Sequence, residues 1–417
     1  MYLVLQLFYH PTFRYWAVLV GLASIIIGIF FSPVLQTLGV FVIAGNAILH
    51  KELYTHIRVF MQSKYLWCYS LIVLVYMISG LWSQDTSYYV QRTLSKLPLL
   101  FLPLGYTAWK SIHKREIICL MYLCILLSCA AVCYSLFYFI QYNTYYEQQY
   151  RMAKVLPTWI NHIRMSVFFA IVIIWCIYAY FNDVKINYKW EKYIYLIAGI
   201  LLFIGLHILA VRSGLLCLYT AIMSYLIWHA IRFHYYYLLG FILIVPFIFG
   251  ISYTMIPTFK SKLDYTIYDW KLFGSKLELQ NISDGQRIMS YRGAWEIIKS
   301  KPWHGTGAGD IKIEVHKATQ ALYPQVTQTP KDPHNQFIYW LTAFGIIGGI
   351  LCTWSIYYSY FALRLYLHPL PLSFIVIFTV SCMVEASLET QLGISIYIIF
   401  TLLWLKWTQL TNSSYTN

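Results

Sequence analysis

His334 is the residue in this sequence best suited to take a proton from an attacking group. It stands in Asp332-Pro333-His334-Asn335, just ahead of an apolar run that continues to about Tyr357. A neutral imidazole can accept a proton from a hydroxyl near pH 7. The competing reading is an amphipathic anchor at a membrane interface. Laid on a helix, His334, Ile338, Leu341, Gly345 and Gly348 fall at offsets of 0, 4, 7, 11 and 14 residues, which is one face. The two glycines would let a neighbouring backbone approach that face, and the histidine would point inward at the helix mouth. His162, in Asn161-His162-Ile163-Arg164, has a similar local case. Asn335 and Arg164 are secondary candidates beside these two histidines.

The cations suggest what the chemistry acts on. Arg212 interrupts an apolar run from Ile194 to Leu226, and Ser213 and Gly214 allow a tight reversal there. An arginine between two apolar segments is costly unless it snorkels outward or meets an anion. A phosphate-facing role is favoured over a topological stop. Arg287 and Arg292 are five residues apart and diverge by roughly 140° on a helix, so one site cannot easily use both. Glu385 and Glu389 bracket a turn between two late apolar segments. Either they pair with these arginines or they are solvated. His207 lies inside an apolar segment, as a packed residue or as a group behind the site. His304 and His316 are loop residues.

Other chemistries find little support. The 12 histidines are scattered, and neither HxxxH, HExxH nor an Asp-x-Asp pair outside the apolar segments occurs. No metal and no cofactor is expected, and a Mg²⁺-dependent nucleotide-sugar transferase is disfavoured. A serine nucleophile elbow is absent. All nine cysteines lie in apolar stretches, which argues against a disulfide framework or a thiolate metal site.

The elements that must position these residues are membrane helices. Of 417 residues, 59% are hydrophobic and 11% charged, against about 25% charged in soluble domains. The 39 Tyr and 15 Trp suit interfacial belts. The segment from Trp16 to Phe31 reads as a retained helix rather than a cleaved signal. About twelve spans are expected, near 14–32, 33–49, 65–83, 97–111, 117–139, 163–181, 193–210, 213–230, 236–253, 336–357, 370–386 and 391–408. The fold class is thus an all-α polytopic membrane protein, one transmembrane domain over 1–417. Lys51, Arg58 and Lys64, then Lys110 to Arg115, Lys185 to Lys192, Arg232 and Arg364 fall on one side, cytoplasmic by the positive-inside rule, with both termini.

The long loop of 254–335 falls on the opposite side. That side is basic too, with Arg92, Lys96, Arg151, Lys154, Arg164 and Arg212 in short connections. Such a surface beside a membrane suits a phosphate, a diphosphate or an acidic glycolipid, or simply anionic lipid headgroups. Nothing points to nucleic acid. Within the loop, Tyr291, Trp295 and Ile298 have helical spacing and predict an amphipathic helix against the membrane domain. Residues 303–309 read as a Gly-rich turn whose N–H groups could meet a phosphate, though no strand precedes it.

Several of these stretches resemble the O-antigen ligase and polymerase superfamily. His334-Asn335, nine residues, Gly345, two residues and Gly348 match its C-terminal signature. Arg287-Ile-Met-Ser-Tyr291, Trp295-Glu-Ile-Ile and Pro302-Trp-His-Gly-Thr-Gly-Ala-Gly309 are similar to its loop motif, with Tyr291 where Trp is usual. Val211-Arg212-Ser-Gly resembles its Ser-Arg-Ser-Gly. The likeness spans roughly 190–400 and is weaker ahead of that. It implies a metal-independent inverting transferase of the GT-C type in the bacterial inner membrane, with its active site on the periplasmic face. The donor would be a glycan on undecaprenyl diphosphate. The acceptor would be lipid A–core in a ligase, a repeat unit in a polymerase, or a protein hydroxyl in related enzymes; ligation is the first expectation. By position, His334 takes the base role, and Arg212 and Arg287 take the diphosphate. Arg292 has no clear counterpart. A transporter of polyprenyl-linked glycans is the rival from another class; it should show related halves or mid-membrane charges.

Overall fold

The computed structural model describes residues 9–142, 145–146, 156–233, 236–256, 259–261, 263–264, 267, 283–326 and 332–412. Arg151, Lys154 and the remaining parts of the 254–335 loop lie outside the described residues. Among the described residues the secondary structure is helical, with no strand.

In chain order the helices are α1 (Pro11–Phe31), α2 (Pro33–Ile48), α3 (Leu53–Gln62), α4 (Lys64–Trp67), α5 (Ser70–Ser79), α6 (Thr86–Lys96), α7 (Pro98–Tyr106) and α8 (Lys114–Gln141). There follow α9 (His162–Phe181), α10 (Glu191–Leu209), α11 (Arg212–Arg232), α12 (Tyr236–Met255), α13 (Ser283–Ser300), α14 (Ile311–Leu322), α15 (Gln336–Ala362), α16 (Pro369–Val384) and α17 (Gln391–Asn412). Proline opens α1, α2, α7 and α16, where its fixed φ suits the first turn and its missing N–H costs nothing. Asn161 caps α9 and Asp85 caps α6 through their side chains.

Among the described residues, seven helices are long and apolar enough to cross a membrane, or up to eight if α2 and α3, bent by 106°, count as one span. Three shorter apolar helices accompany them: Ser70–Ser79, Val245–Met255 and Pro369–Val384. The apolar run expected near 65–83 is divided between α4 and α5, and the one near 97–111 holds the nine-residue α7. Apolar length alone sees neither break.

The centre of the bundle is α9 and α17, whose apolar stretches are 78% and 83% buried, whereas α11 is 33% buried and lies outside. Aromatic packing joins the two: Trp175 stacks on Trp404 at 5.5 Å and meets Trp407 edge-on at 5.2 Å. Between α10 and α11 the chain reverses at Ala210 in a left-handed conformation, and Arg212 is the first residue of α11. The turn thus comes ahead of Arg212, at Ala210, and Ser213 and Gly214, expected to make it, lie within α11.

The loop helix α13 buries Met289, Ser290, Ala294 and Ile297, while Trp295 is 56% exposed. The amphipathic helix is there: Ile298 is buried and Tyr291 bonds inward to the His334 carbonyl, as expected, and only Trp295 turns out. Small residues at 293 and 294 permit close packing, and Trp295 stays outside with Lys299 over its ring.

Candidate functional site

The stretch from His334 to Gln336 is fastened, residue by residue, to the connection between α16 and α17. Asn335 caps α15: its Oδ1 accepts from the N–H groups of Phe337 at 2.9 Å and Ile338 at 3.1 Å. Its Nδ2 donates to the carbonyl of Met383 at 3.1 Å. Gln336, fully buried, donates to Glu389 Oε1 at 2.8 Å and accepts from the N–H of Leu388 at 2.7 Å. A cap of this kind stabilises a helix by about 1 kcal/mol, and the same side chain fixes how α15 meets the next turn.

His334 therefore sits just outside the helix with its position set. Its Nδ1 is 3.8 Å from Glu385 Oε2, within ion-pair range but beyond a hydrogen bond. Tyr291 donates from its hydroxyl to the His334 carbonyl at 2.9 Å, tying α13 to the same point. The His334 side chain is 37% exposed, so a second reactant can reach its ring.

Around this pair the guanidinium groups converge. Arg212 donates to Asp284 Oδ2 at 2.8 Å, and Arg287 to Asp284 Oδ1 at 3.4 Å. Arg164, half-buried near the start of α9, has an Nε enclosed without a hydrogen-bond acceptor. Burial alone would raise Glu385, but His334, Arg164 and Arg287 hold its carboxyl below the ordinary range. Three arginines from three elements thus share one region with His334, and a metal-free site for a diphosphate needs such groups. His162 opens α9 at the same end, two residues before Arg164.

Arg292 points away and donates to Tyr323 at 2.7 Å, as its angular offset from Arg287 requires. Glu389 does not pair with the loop arginines, nor is it solvated. It lies 5% exposed, with Lys96 Nζ at 3.0 Å, Arg92 at 3.9 Å and the Tyr76 hydroxyl at 2.5 Å. Burial favours the neutral acid, yet Lys96 and Arg92 hold Glu389 ionised; burial in turn draws Lys96 down to about 8. Arg92 also reaches Asp332 at 4.0 Å. This buried network has no signature in the sequence, because Lys96 and Glu389 are 293 residues apart. Asp284 was legible in principle, since a carboxylate three residues before Arg287 is a helix pair. His207 is a packed residue: its Nδ1 meets the Phe203 carbonyl at 2.8 Å and its Nε2 the Tyr219 hydroxyl at 2.7 Å.

Gly345 does not lie on a continuous helix face. It has φ 66° and ψ −171°, a conformation almost reserved to glycine, and it breaks α15. The loop after α13 fills the break. Ile346 donates to the Pro302 carbonyl at 2.8 Å, Thr306 to Thr342 at 3.0 Å and Gly307 to Ala343 at 2.8 Å. A Cβ at 345 would stand 2.3 Å from the Trp303 carbonyl carbon. The backbone that approaches Gly345 is thus a loop, not a neighbouring helix. Gly348 lies below the break, where an added Cβ would come within 3.3 Å of Val75 on α5. The Gly-rich turn is spent on this docking: Ala308 and Gly309 donate to Ser79 at 3.3 Å and Ser83 at 3.1 Å. It does not form a phosphate cradle.

The one grouping among the described residues with metal-ligand proximity is His50, Glu52 and His56. It lies at the opposite end of the bundle, beyond the C-terminus of α2, so it supplies nothing to His334.

Residues 197–353 match the family model of the O-antigen ligases. This match supports membership of the O-antigen ligase and polymerase superfamily. The matched segment runs from α10 to the second half of α15 and so contains Arg212, Asp284, Arg287, His334 and the Gly345 break. Arg164, Glu385 and Glu389 lie outside it. No curated protein matches the chain.

Proposed function

We propose that this protein is an inverting, metal-independent glycosyltransferase that moves a glycan from undecaprenyl diphosphate to an acceptor hydroxyl, with lipid A–core as the acceptor. The observation that carries the reading is His334 against Glu385, beside the guanidinium groups of Arg164, Arg212 and Arg287. With Nδ1 turned to Glu385, Nε2 is the nitrogen left to meet the acceptor. The acceptor hydroxyl gives its proton to Nε2 as its oxygen attacks the anomeric carbon. The bond from that carbon to the diphosphate oxygen breaks, and the electron pair leaves with the diphosphate. The arginines absorb the developing charge, a role elsewhere filled by a metal ion. Asp284 gathers Arg212 and Arg287 before the donor arrives. Both reactants are anchored in the membrane, so a site at the helix ends restricts their encounter to two dimensions.

In this reading the protein spans the bacterial inner membrane with the His334 end in the periplasm and the Lys110–Arg115 end in the cytoplasm. The deciding experiment is deletion of the gene and analysis of surface glycolipids. Loss of capped core with long lipid-linked chains retained supports ligation. Single-repeat glycan would instead indicate a polymerase. Purified protein should keep transferring glycan in EDTA; activity that EDTA abolishes and Mg²⁺ restores would defeat the mechanism.

A further inference from the structure

A cavity of about 760 Å³ opens at the end of the bundle opposite His334, among the termini of α8, α9, α11, α15, α16 and α17. Four cations line it, Lys114, Lys185, Arg232 and Arg364, against one acid, Asp183. Lys185 is paired with that acid. Neither Arg232 nor Arg364 has a carboxylate partner among the described residues. The Arg232 guanidinium lies over the Trp228 ring at 5.1 Å, and Trp228 donates to the Leu367 carbonyl at 2.8 Å, which fixes that wall.

The backbone is unusual here as well. Among the described residues three non-glycine residues have positive φ, and two of them, Asp183 and Arg364, line this cavity. Each directly follows a helix, and at Asp183 the Val184 N–H donates to the Ala179 carbonyl at 3.0 Å, so these residues close the ends of α9 and α15 at the cavity. The positive-inside rule accounts for the sign of the charge at this end. It does not account for a concave surface, or for two cations in its wall that have no carboxylate partner among the described residues.

The rim is apolar and faces outward. Phe181 is 74% exposed and Phe233 60% exposed, both beside the cationic wall. A free anion would use the cations and leave this rim idle, whereas a lipid would use both. Basic pockets between membrane helices at the cytoplasmic surface hold anionic lipid headgroups. We propose that this cavity binds the headgroup of an anionic membrane lipid carrying two phosphates, with its acyl chains lying along the Phe181 and Phe233 rim. The shared chemistry is a diphosphate-like pair of charges, whose two sources are such a lipid and free pyrophosphate. The inference stands apart from the transferase reading, because its site and its readout do not involve His334.

The test is native mass spectrometry of delipidated full-length protein, titrated separately with cardiolipin, phosphatidylcholine and inorganic pyrophosphate. Cardiolipin should be retained and phosphatidylcholine should not. The double variant Arg232→Gln, Arg364→Asn should bind cardiolipin about thirtyfold more weakly, at roughly fivefold for each basic residue removed. Asparagine is chosen because it tolerates the left-handed backbone at position 364. If that variant does not fold, Lys185→Gln provides a second reading on an exposed side chain, with a fall of about fivefold expected. Equal retention of both lipids by the wild type, or equal cardiolipin binding by wild type and a folded variant, overturns the proposal. Pyrophosphate binding with no lipid retained also overturns it.

Discussion

Arg212, the first residue of α11, spans both oxygens of Asp284 at 2.8 and 3.5 Å, and Arg287, in α13, shares one of them, Oδ1, at 3.4 Å. A membrane helix and a loop helix are thereby brought to the same point by charge. Arg212→Ala or Arg287→Ala should weaken donor binding and turnover together, since charge grows on the diphosphate as the sugar bond breaks. Lysine at either position should restore activity only in part, because it keeps the charge and loses the fork. Steady-state kinetics on folded variants checks this; full activity of Arg287→Lys would show that the fork geometry is unused.

His334→Ala should lower turnover by about 10²–10⁴-fold while donor affinity changes little. Expression level and detergent chromatography establish that the variant folds. Wild-type turnover in a well-folded variant would remove His334 as the base and turn attention to His162.

Glu385→Gln tests the neighbour of that base. The ring loses the carboxylate that faces its Nδ1, so turnover should fall. The sign for stability is separate. The Glu385 carboxyl is held below its ordinary range in the folded protein. Its contribution is therefore complete above the ordinary carboxylate range and lost as the pH falls through the depressed value. Thermal stability of wild type and Glu385→Gln, compared from neutral pH downward, should converge at the acid end.

Lys96 and Glu389 give a test of stability without catalysis. Both side chains are almost wholly enclosed, at 0% and 4% exposure. Glu389→Ala leaves Lys96 and Arg92 without their carboxylate and should cost about 3–5 kcal/mol. Lys96→Met combined with Glu389→Gln should recover part of that loss, since neither residue is then a buried charge. Thermal unfolding in detergent reads both; a double variant no better than Glu389→Ala would show that the pair is not the source of the cost.

Gly345→Ala should destabilise by more than about 2 kcal/mol, from the left-handed backbone and the contact with Trp303. Limited proteolysis should then cut between residues 300 and 310 sooner than in wild type. Unchanged proteolysis would mean that the loop docks without the glycine.

The parts of the site that could be read from the sequence are those where a polar residue interrupts an apolar run. Arg212 and His334-Asn335 stand out for that reason, and both lie where helices begin. Partners brought together only by the fold were not legible. Glu389 could be placed in a turn but not against Lys96, and Glu385 could not be matched with His334. Periodicity also failed at Gly345. Both halves of α15 are apolar, so the pattern runs through the break as though the helix were continuous. In α13 the expected inward stripe holds at Tyr291 and Ile298, and only Trp295 turns out. Apolar length gave more spans than the seven or eight helices that meet the length requirement among the described residues, because short helices and turns can be as apolar as a full span.

The break in α15 bears on how the protein is made. Three of its main-chain hydrogen bonds are completed by residues 302–307, which lie outside the helix. Until that loop arrives, a newly inserted α15 has amide and carbonyl groups that lipid cannot satisfy. The loop precedes α15 in the chain and is translated first; Ala308 and Gly309 can already bond Ser79 and Ser83, but residues 302–307 gain their partners only with α15. The backbone of α15 is therefore complete only once the segment between α13 and α14 has closed on its break.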